Sequence, residues 1–528
     1  MALEEMLREK DYDKIWEKYC GFLDLNIEEF MQIQERLLLE QIELLSRCKL
    51  GKTIMGENVK PKTIEEFREM VPLTTYEDYA DFLLNKRVDV LPSKPKYWIK
   101  TTWKGGTHEI KLAPYSESMI EEHTKAFLAS LILATSKKRG EFSLRENDKF
   151  LYGMAPLPYL TGLAPYGVRN EINFEYLPSI EEAECLSFEE RNKVGFQLAL
   201  TKGADLFFGL SSILVKIGED YAKGSTGGKG TFEVLKSSKS VNIKMLYKLG
   251  RAFIKKHIKK ETIFPKDLWD FKGILCAGTD THAFKDKIEY YWGKRPLEIY
   301  GGTEIATVAT ETWGDSGLTF FPDVNFLEFI PEKDSLKSLQ DKNFIPQTLL
   351  LNEIKAGERY ELVITKFRGG AFVRYRVGDV IECLALENVA NNIKLPQVRF
   401  VDRIANIIDL AGFTRITKAT IDKAVAVGKL PVKDWVAAKR FEEKEPVLHI
   451  YLEMLGNDVD ANTVKNILNE SLQKSDSDYK DIKMMLGRDP LRVTLLPKGA
   501  FNHFKDKQNT MIKMNPSQQT IETLMNCS

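Results

Sequence analysis

An excess of charge of either sign is what this chain most clearly lacks. Lys and Arg together number 76, Asp and Glu together number 76, and the formal net charge is zero. That balance excludes a bulk attraction to nucleic acid or to an anionic membrane and leaves only local patches. Cysteine is sparse. The six residues Cys20, Cys48, Cys185, Cys276, Cys383 and Cys527 form no pair with metal-ligand or redox spacing, which predicts free thiols in a reducing, cytoplasmic setting. The six histidines make no His-x-x-x-His pattern, so no zinc site is expected. No apolar run reaches about 18 residues, so no membrane span is expected. The charged start, MALEEMLREKDYDK, lacks the apolar segment of a secretory signal.

What is present is an ordinary globular composition, 43% hydrophobic and 29% charged over 528 residues, enough for more than one structural unit. Residues 1–50 read as packing helices, with Phe30, Ile33, Leu37, Leu44 and Cys48 on one stripe. Thr74-Thr75 ahead of Glu77 and Asp78 reads as a helix start. Residues 98–116 read as strand, turn and strand around Gly105-Gly106. A Gly/Thr loop near a lysine can also wrap phosphates, though the local sequence favours a plain hairpin turn. The Pro- and Gly-rich stretch 151–167 suits an irregular pocket wall, and 204–217 reads as a buried parallel strand and its neighbour. AKGSTGGKGT at 222–231 lacks the Ser or Thr that a phosphate loop needs after its lysine, since Gly230 follows Lys229, and reads as a surface loop. Beyond it lies a basic helix with Met245, Leu246, Leu249, Phe253 and Ile254 on its apolar side. A packed stripe under a solvated face is the favoured reading, and a membrane-surface helix is the other.

One stretch organises the rest. FKGILCAGTDT reads as a strand ending in a glycine turn, a helix runs from His282 to Trp292, and a second strand leads into Tyr300-Gly301-Gly302-Thr303-Glu304. This rhythm predicts a parallel α/β core with ligands at the carboxyl ends of its strands. Residues 317–331 and 359–366 read as antiparallel-type strands, followed by a turn that presents Asp379, a group able to accept hydrogen bonds from vicinal ribose hydroxyls. From about 403 onward the chain reads as a mixed αβ module of domain size.

In order, Tyr300–Glu304, Tyr375–Asp379, Val401–Arg403 and Gly412-Phe413 match the signature series of adenylate-forming enzymes. VPLTTYEDY, PLPYLTG, AGTDT, WGKRPLEIYGGTE, FLEFIPE, GGAFVRYRVGDVIE, AGFTRIT and LPKGAF most resemble the auxin-responsive acyl-acid amido synthetase family and its prokaryotic relatives, within the ANL superfamily, over about Phe67 to Pro516. The resemblance implies an α/β fold: a large N-terminal acyl-adenylating domain (1–401, mainly helical over 1–90) with parallel and mixed sheets, and a small mobile α+β C-terminal domain (402–528). It implies a ligase that uses ATP and Mg²⁺ to turn a carboxylic acid into an acyl-adenylate, then transfers the acyl group to an amine, usually of an amino acid, or to a thiol.

Carried onto this chain, the resemblance makes Glu304 the Mg²⁺ ligand and sets Thr303 against the α-phosphate. Asp379 would hold the ribose hydroxyls with Arg403, and Asp402 would be the hinge. Tyr300, Gly301 and Gly302 would line the adenine and acyl pocket, with Pro158, Tyr159, Gly162, Ala277, Gly278 and Thr279 as further pocket residues. Lys513 is the candidate catalytic lysine and Lys498 the second. One stretch departs from the pattern. The family's phosphate loop is rich in Ser, Thr and Gly ahead of a lysine; here Trp103–His108 precedes Lys111, keeping Gly105 and Thr107 but placing Lys104 where a serine is usual. An acyl-CoA ligase is one alternative. A non-catalytic nucleotide- or acyl-binding relative is the other, and the altered loop motivates it.

Overall fold

Short apolar runs closed by a glycine or by a helix start build the central sheet. The computed structural model describes residues 2–526 except 103–109, 225–240, 315, 342, 405–406, 412–413, 457–459, 508–511 and 517. A hairpin of β1 (Tyr97–Thr102) and β2 (Ile110–Tyr115) stands beside the sheet, and β3 (Ser136–Lys138) with β4 (Glu141–Phe142) makes a smaller one. The parallel strands are β5 (Lys149–Tyr152), β6 (Glu175–Leu177), β7 (Leu206–Leu210), β8 (Gly273–Ala277) and β9 (Leu297–Gly302). The antiparallel strands are β10 (Ala306–Glu311), β11 (Leu318–Phe320), β12 (Asn325–Pro331), β13 (Arg359–Lys366), β14 (Tyr375–Ala385) and β15 (Gln397–Arg403). Together they form one eleven-stranded sheet, ordered β6-β5-β7-β8-β9-β10-β11-β15-β14-β13-β12. The parallel half meets the antiparallel half at the β9–β10 hairpin, whose turn holds Thr303 and Glu304.

Buried strands show why the parallel half reads as apolar runs. β7, Leu-Phe-Phe-Gly-Leu, is buried at every position, as a strand covered on both faces must be. The apolar run 204–217 is strand and helix rather than two strands: β7 passes directly into a helix at Ser211–Ala222. The stretch 151–167 is likewise not all loop, since Leu160–Val168 is helical.

In the helical N-terminal region the buried face of Ile27–Ser46 is Phe30, Gln34, Leu37, Leu38, Gln41, Ile42 and Leu45. Leu44 is exposed, and Cys48 caps the next helix instead of continuing the stripe. Two glutamines replace them and dock the helix on the sheet. The Gln34 amide donates to the carbonyl of Asn325 at 2.8 Å, and that of Gln41 donates to the carbonyl of Gly370 at 2.9 Å. Thr74 lies ahead of the helix that begins at Glu77, and its N–H donates to the carbonyl of Arg374 at 2.9 Å.

The C-terminal part holds a hairpin of β16 (Ile407–Leu410) and β17 (Thr414–Thr417) and a mixed sheet of β18 (Val432–Glu442), β19 (Glu445–Met454) and β20 (Leu491–Leu495), with helices around it. Its apolar core is drawn from Ile408 onward, whereas the cores of the larger part end at Phe400.

One buried ion pair ties the N-terminal helices to the antiparallel strands. Arg374 lies 2.8 Å from Glu328, and its guanidinium also donates to the carbonyls of Arg68 and Val71, each at 2.6 Å. Glu328 is fully buried. Removing one partner leaves the other charged and dry, at a cost of about 3–5 kcal/mol. Arg374→Ala is therefore expected to lower the urea midpoint by a loss of that order, while Arg36→Ala, whose partner Glu40 is exposed, should change it little.

Candidate active site

A cavity of about 500 Å³ opens at the carboxyl ends of the parallel strands. One end is charged and carries Lys111, Glu304, Asp379, Arg403, Asp409 and Arg415; the other carries Phe127, Met154, Phe208 and Leu210. The sheet brings the charged residues together from three places in the sequence. β9 ends at Gly302 and its turn presents Glu304; β14 and β15 are antiparallel neighbours in which Asp379 pairs directly with Arg403. The motifs around Asp379 and Arg403 are thus two sides of one cross-strand pair.

Glu304 is held by two groups. Its Oε1 accepts from the Lys111 ammonium at 2.9 Å and from the Tyr375 hydroxyl at 3.0 Å, and Lys111 also donates to that hydroxyl at 2.8 Å. Burial pushes the Glu304 carboxyl up, but Lys111, with help from Arg403, outweighs it and brings the group down to about 2. Asp379 accepts from the buried Tyr300 hydroxyl at 2.7 Å through Oδ2. Its Oδ1 lies 3.3 Å from Arg403 Nε without a hydrogen bond of good geometry, and both atoms are buried without a hydrogen-bond partner among the described residues. Burial pushes the Arg403 guanidinium down, but Asp379, Asp409 and Glu304 more than reverse this and keep it charged.

Gly301 lines the cavity and also has a packing reason to be glycine: a Cβ there would sit 2.4 Å from the carbonyl oxygen of Ala306 on the returning strand. Gly302 has more room, with nothing nearer than 3.5 Å. Thr303 is buried, and its carbonyl accepts from the Tyr115 hydroxyl at 2.8 Å. Among the expected pocket residues, Tyr159, Ala277, Gly278 and Thr279 line the cavity. Pro158 does not. Gly162 borders a separate small recess, and a Cβ on it would lie 2.0 Å from the Leu157 nitrogen, so packing explains that glycine. Leu160, Thr161 and Ala164 supply that side of the wall instead. Gly105, Thr107 and Gly412-Phe413 lie outside the described residues.

The C-terminal part closes over the charged end. Ile407, Asp409 and Arg415 of the β16–β17 hairpin line the cavity, and Asp409 accepts from Thr279 at 3.0 Å. Lys439 on β18 reaches across to Asp280 at 2.5 Å, both side chains almost fully buried. Asp402 accepts from the side-chain amide of Asn515 at 2.9 Å, and burial, opposed by Lys439, raises its carboxyl to about 6. Lys513 does not reach the cavity. It is ion-paired with Asp434 and lies 5.2 Å over the Trp435 ring, while Lys498 is exposed on a turn. Among the described residues Lys111 is the lysine that lines the cavity, and Lys439 stands behind it through Asp280, a pairing with no local motif because the partner is distant in the chain. His123, also missed, sits at the apolar end. Burial, with Lys366 nearby, holds its imidazole down at about 3. Thr307 lies 3.2 Å from Nδ1, and Nε2 is buried without a hydrogen-bond partner among the described residues.

Among the described residues no group of three His, Cys, Asp or Glu stands in metal-binding arrangement, and no helix is long and apolar enough to cross a membrane.

Known proteins share this sequence pattern and fold. Residues 21–154 match the GH3 family N-terminal domain and residues 318–403 the GH3 family central domain. The jasmonoyl–L-amino acid synthetase JAR4 of Nicotiana attenuata is 26% identical over 259 residues, which is 46% of this chain and 42% of that protein. The chain thus spans about two-fifths of the length of the curated relatives it matches first. The solved AtGH3.15 acyl acid amido synthetase, in complex with 2,4-DB, superposes with a TM-score of 0.54 at 17% identity, covering 96% of this chain and 95% of that one. A 2-hydroxyisobutyryl-CoA ligase in its thioesterification state gives 0.51 at 14%, covering 96% and 91%. The fold is that of acyl acid amido synthetases and adenylate-forming ligases.

The Glu304 carboxyl sits at about 2, below its ordinary value, so the Lys111–Glu304 pair stabilises the fold fully above the ordinary carboxylate range and loses that contribution as pH falls toward 2. Glu304→Gln is expected to be less stable than the parent near neutrality, with the gap narrowing in acid. Denaturant titrations across that range measure it, and a gap independent of pH would contradict the pairing.

Proposed function

We propose that this chain, which carries the GH3 family N-terminal and central domains, activates a carboxylic acid with ATP as an acyl-adenylate and transfers the acyl group to an amine. The observation that supports this most is the cavity itself: Glu304, Lys111, Asp379 and Arg403 converge at one end of a single space whose other end is apolar. A nucleotide phosphate and an organic acid need those two environments side by side.

Asp379 suits the ribose. Its Oδ1 is a buried acceptor with no hydrogen-bond partner among the described residues, and Arg403 lies beside it at 3.3 Å. Tyr300, Gly301, Gly302 and Thr303 all line the cavity, which supports reading the first three as the wall of the adenine and acyl pocket and Thr303 as a contact to the α-phosphate. Attack of a carboxylate on the α-phosphorus brings two anions together. Lys111 and Arg403 offset that charge with groups already in place. Glu304 would hold Mg²⁺, an ion that accepts one carboxylate together with phosphates and water, so a single protein carboxylate fits it. When bound, the ion adds charge neutralisation at the phosphates. Gly105 and Thr107 lie in sequence between β1 and β2, whose residues Thr101 and Lys111 line the cavity, which supports assigning that stretch to the phosphates.

The acid's hydrocarbon part would lie among Phe127, Met154, Phe208 and Leu210, near Tyr159 and Ala277–Thr279. An amine acceptor is favoured over a thiol because the sequence relative is named an amino acid synthetase and the GH3.15 structure an acyl acid amido synthetase. Acyl transfer needs different surroundings from adenylation, and a C-terminal domain pivoting at Asp402 would supply them. Such a pivot is also the route by which Lys513, held outside the cavity here, would come to act. Free Cys20, Cys48, Cys185, Cys276 and Cys383 support a cytoplasmic setting.

Pyrophosphate exchange with a panel of carboxylic acids tests the reading. Exchange should appear with at least one apolar acid, and its absence with every acid, together with no ATP binding, would sink the proposal. Glu304→Ala should abolish exchange while unfolding stays cooperative, since Glu304 lies in a turn and not in the apolar core. Asp379→Asn should raise the KM for ATP by about 10- to 100-fold, the range for a hydrogen bond to a charged group. Supplying mixed amino acids or coenzyme A to the preformed adenylate separates amide from thioester formation by product mass.

A further inference from the structure

The helix at Ile243–His257 has two apolar stripes where a helix on a protein surface needs one. Met245, Leu249 and Ala252 are buried in the core beneath it. Ile243, Leu246, Tyr247 and Ile254 recur at i, i+3, i+4 and i+11, with Ile258 four residues on, and they face away from that core. Their exposures are 81%, 57%, 67%, 46% and 71% respectively. Leu246 and Ile254, with Phe253 at 47%, were expected on the packed side, so the favoured single-stripe reading fails on these residues.

The surroundings of the exposed stripe are cationic. From Val241 to Lys260 the chain has seven Lys and Arg and no Asp or Glu, in a protein whose net charge is zero. Lys244 and Arg251 flank the stripe, with Lys248 and Lys255 below them nearer the core. Asp270, 91% exposed, lies 3.5 Å from Lys248 and Asp267 lies 2.9 Å from Lys255, so acids of the neighbouring segment pair with the two lysines nearer the core and leave Lys244 and Arg251 beside the stripe. A recess of about 260 Å³ beside the helix adds Lys149 and Lys202 to the same surface. Lys149 and the adjoining Asp205 mark the amino ends of β5 and β7, whereas the cavity opens at the carboxyl ends. The helix is therefore on the opposite edge of the sheet from the site.

We propose that this face docks on an anionic lipid bilayer, with the helix lying in the plane of the surface. An outward-facing apolar stripe with a basic rim is the form that lies on an anionic bilayer, whose headgroups meet the cationic rim while the apolar side chains enter the acyl boundary; a protein partner would need an apolar groove edged with acids. Docked in this way, the cavity mouth faces away from the bilayer and stays open to solutes.

Flotation of the full chain with phosphatidylcholine vesicles, with and without phosphatidylglycerol, tests this. The protein should float with the anionic vesicles and not with the neutral ones, and added salt should release it. The double variant Leu246→Ser/Ile254→Ser should lose binding by more than about tenfold. Lys244→Glu and Arg251→Glu should each lose about fivefold or more. All should keep the parent's melting temperature and nucleotide binding. No flotation with anionic vesicles, or flotation indifferent to these substitutions, overturns the proposal. So does a dimer in sizing chromatography that the double variant abolishes, which would make the face a contact between copies of this chain. The readout is lipid binding, so its failure leaves the ligase reading untouched, and the reverse also holds.

Discussion

The contact on which the site depends is the one between Lys111 and Glu304, with the Tyr375 hydroxyl bonded to both. Three separate parts of the chain meet there: the β1–β2 hairpin, the β9–β10 turn and the start of β14. A carboxylate this buried is tolerated only if paired. Pairing therefore positions the hairpin against the turn, and with it both ends of the loop that joins β1 to β2. Nearby groups reinforce the same geometry. Tyr115 holds the turn's backbone through the Thr303 carbonyl, and Lys366, which burial brings down to about 7, lies 3.4 Å from the carbonyl of Ile305 behind it. The site is rigid where it is charged, which keeps reorganisation small when further charge arrives.

How much of this was legible in the sequence follows from what each signal measures. Strand–helix–strand rhythm placed Tyr300–Glu304 at the end of a parallel strand, and there it lies, at the junction where the sheet turns antiparallel. The antiparallel character of 317–331 and 359–366 was legible for the same reason, since alternation and turn residues are local. Partnerships across the chain were not. Nothing in the spacing of Asp379 and Arg403 says that they pair across β14 and β15, and nothing near Lys439 points to Asp280. Glycine misled at Gly162, which packs against backbone and borders a separate recess, whereas Gly301 lines the cavity and is also needed because backbone fills the space beside it. Gln34 and Gln41 escaped because a periodicity search counts apolar residues, while these two are buried as hydrogen-bond donors to the sheet. The same search treats all apolar residues of 243–257 as one face and cannot tell a packed stripe from an exposed one.

The contact between the two parts of the chain has a composition that bears on motion. No apolar core cluster of the described residues spans Phe400 and Ile408. Near the cavity the contacts that join the two parts are polar: Lys439 with Asp280, Asn515 with Asp402, Thr279 with Asp409, and the Ala411 N–H donating to Asp280 at 2.6 Å, while farther off the helix Ser477–Leu486 packs on Ser211–Ala222. Apolar interfaces separate only by exposing surface to water, at a cost that grows with area. Ionic groups regain water when they part, so desolvation and attraction largely offset each other. The polar part of this contact therefore adds less to stability than its burial suggests. Acid groups dominate it, with Asp280, Asp402 and Asp409 close enough to act on one another electrostatically, and Lys439 and Arg415 stand among them as cations. Asp409, Arg415 and Arg403 also line the cavity, so a change in charge there acts on the same group of residues. Polar contacts of this kind tie the C-terminal part to the charge the cavity contains.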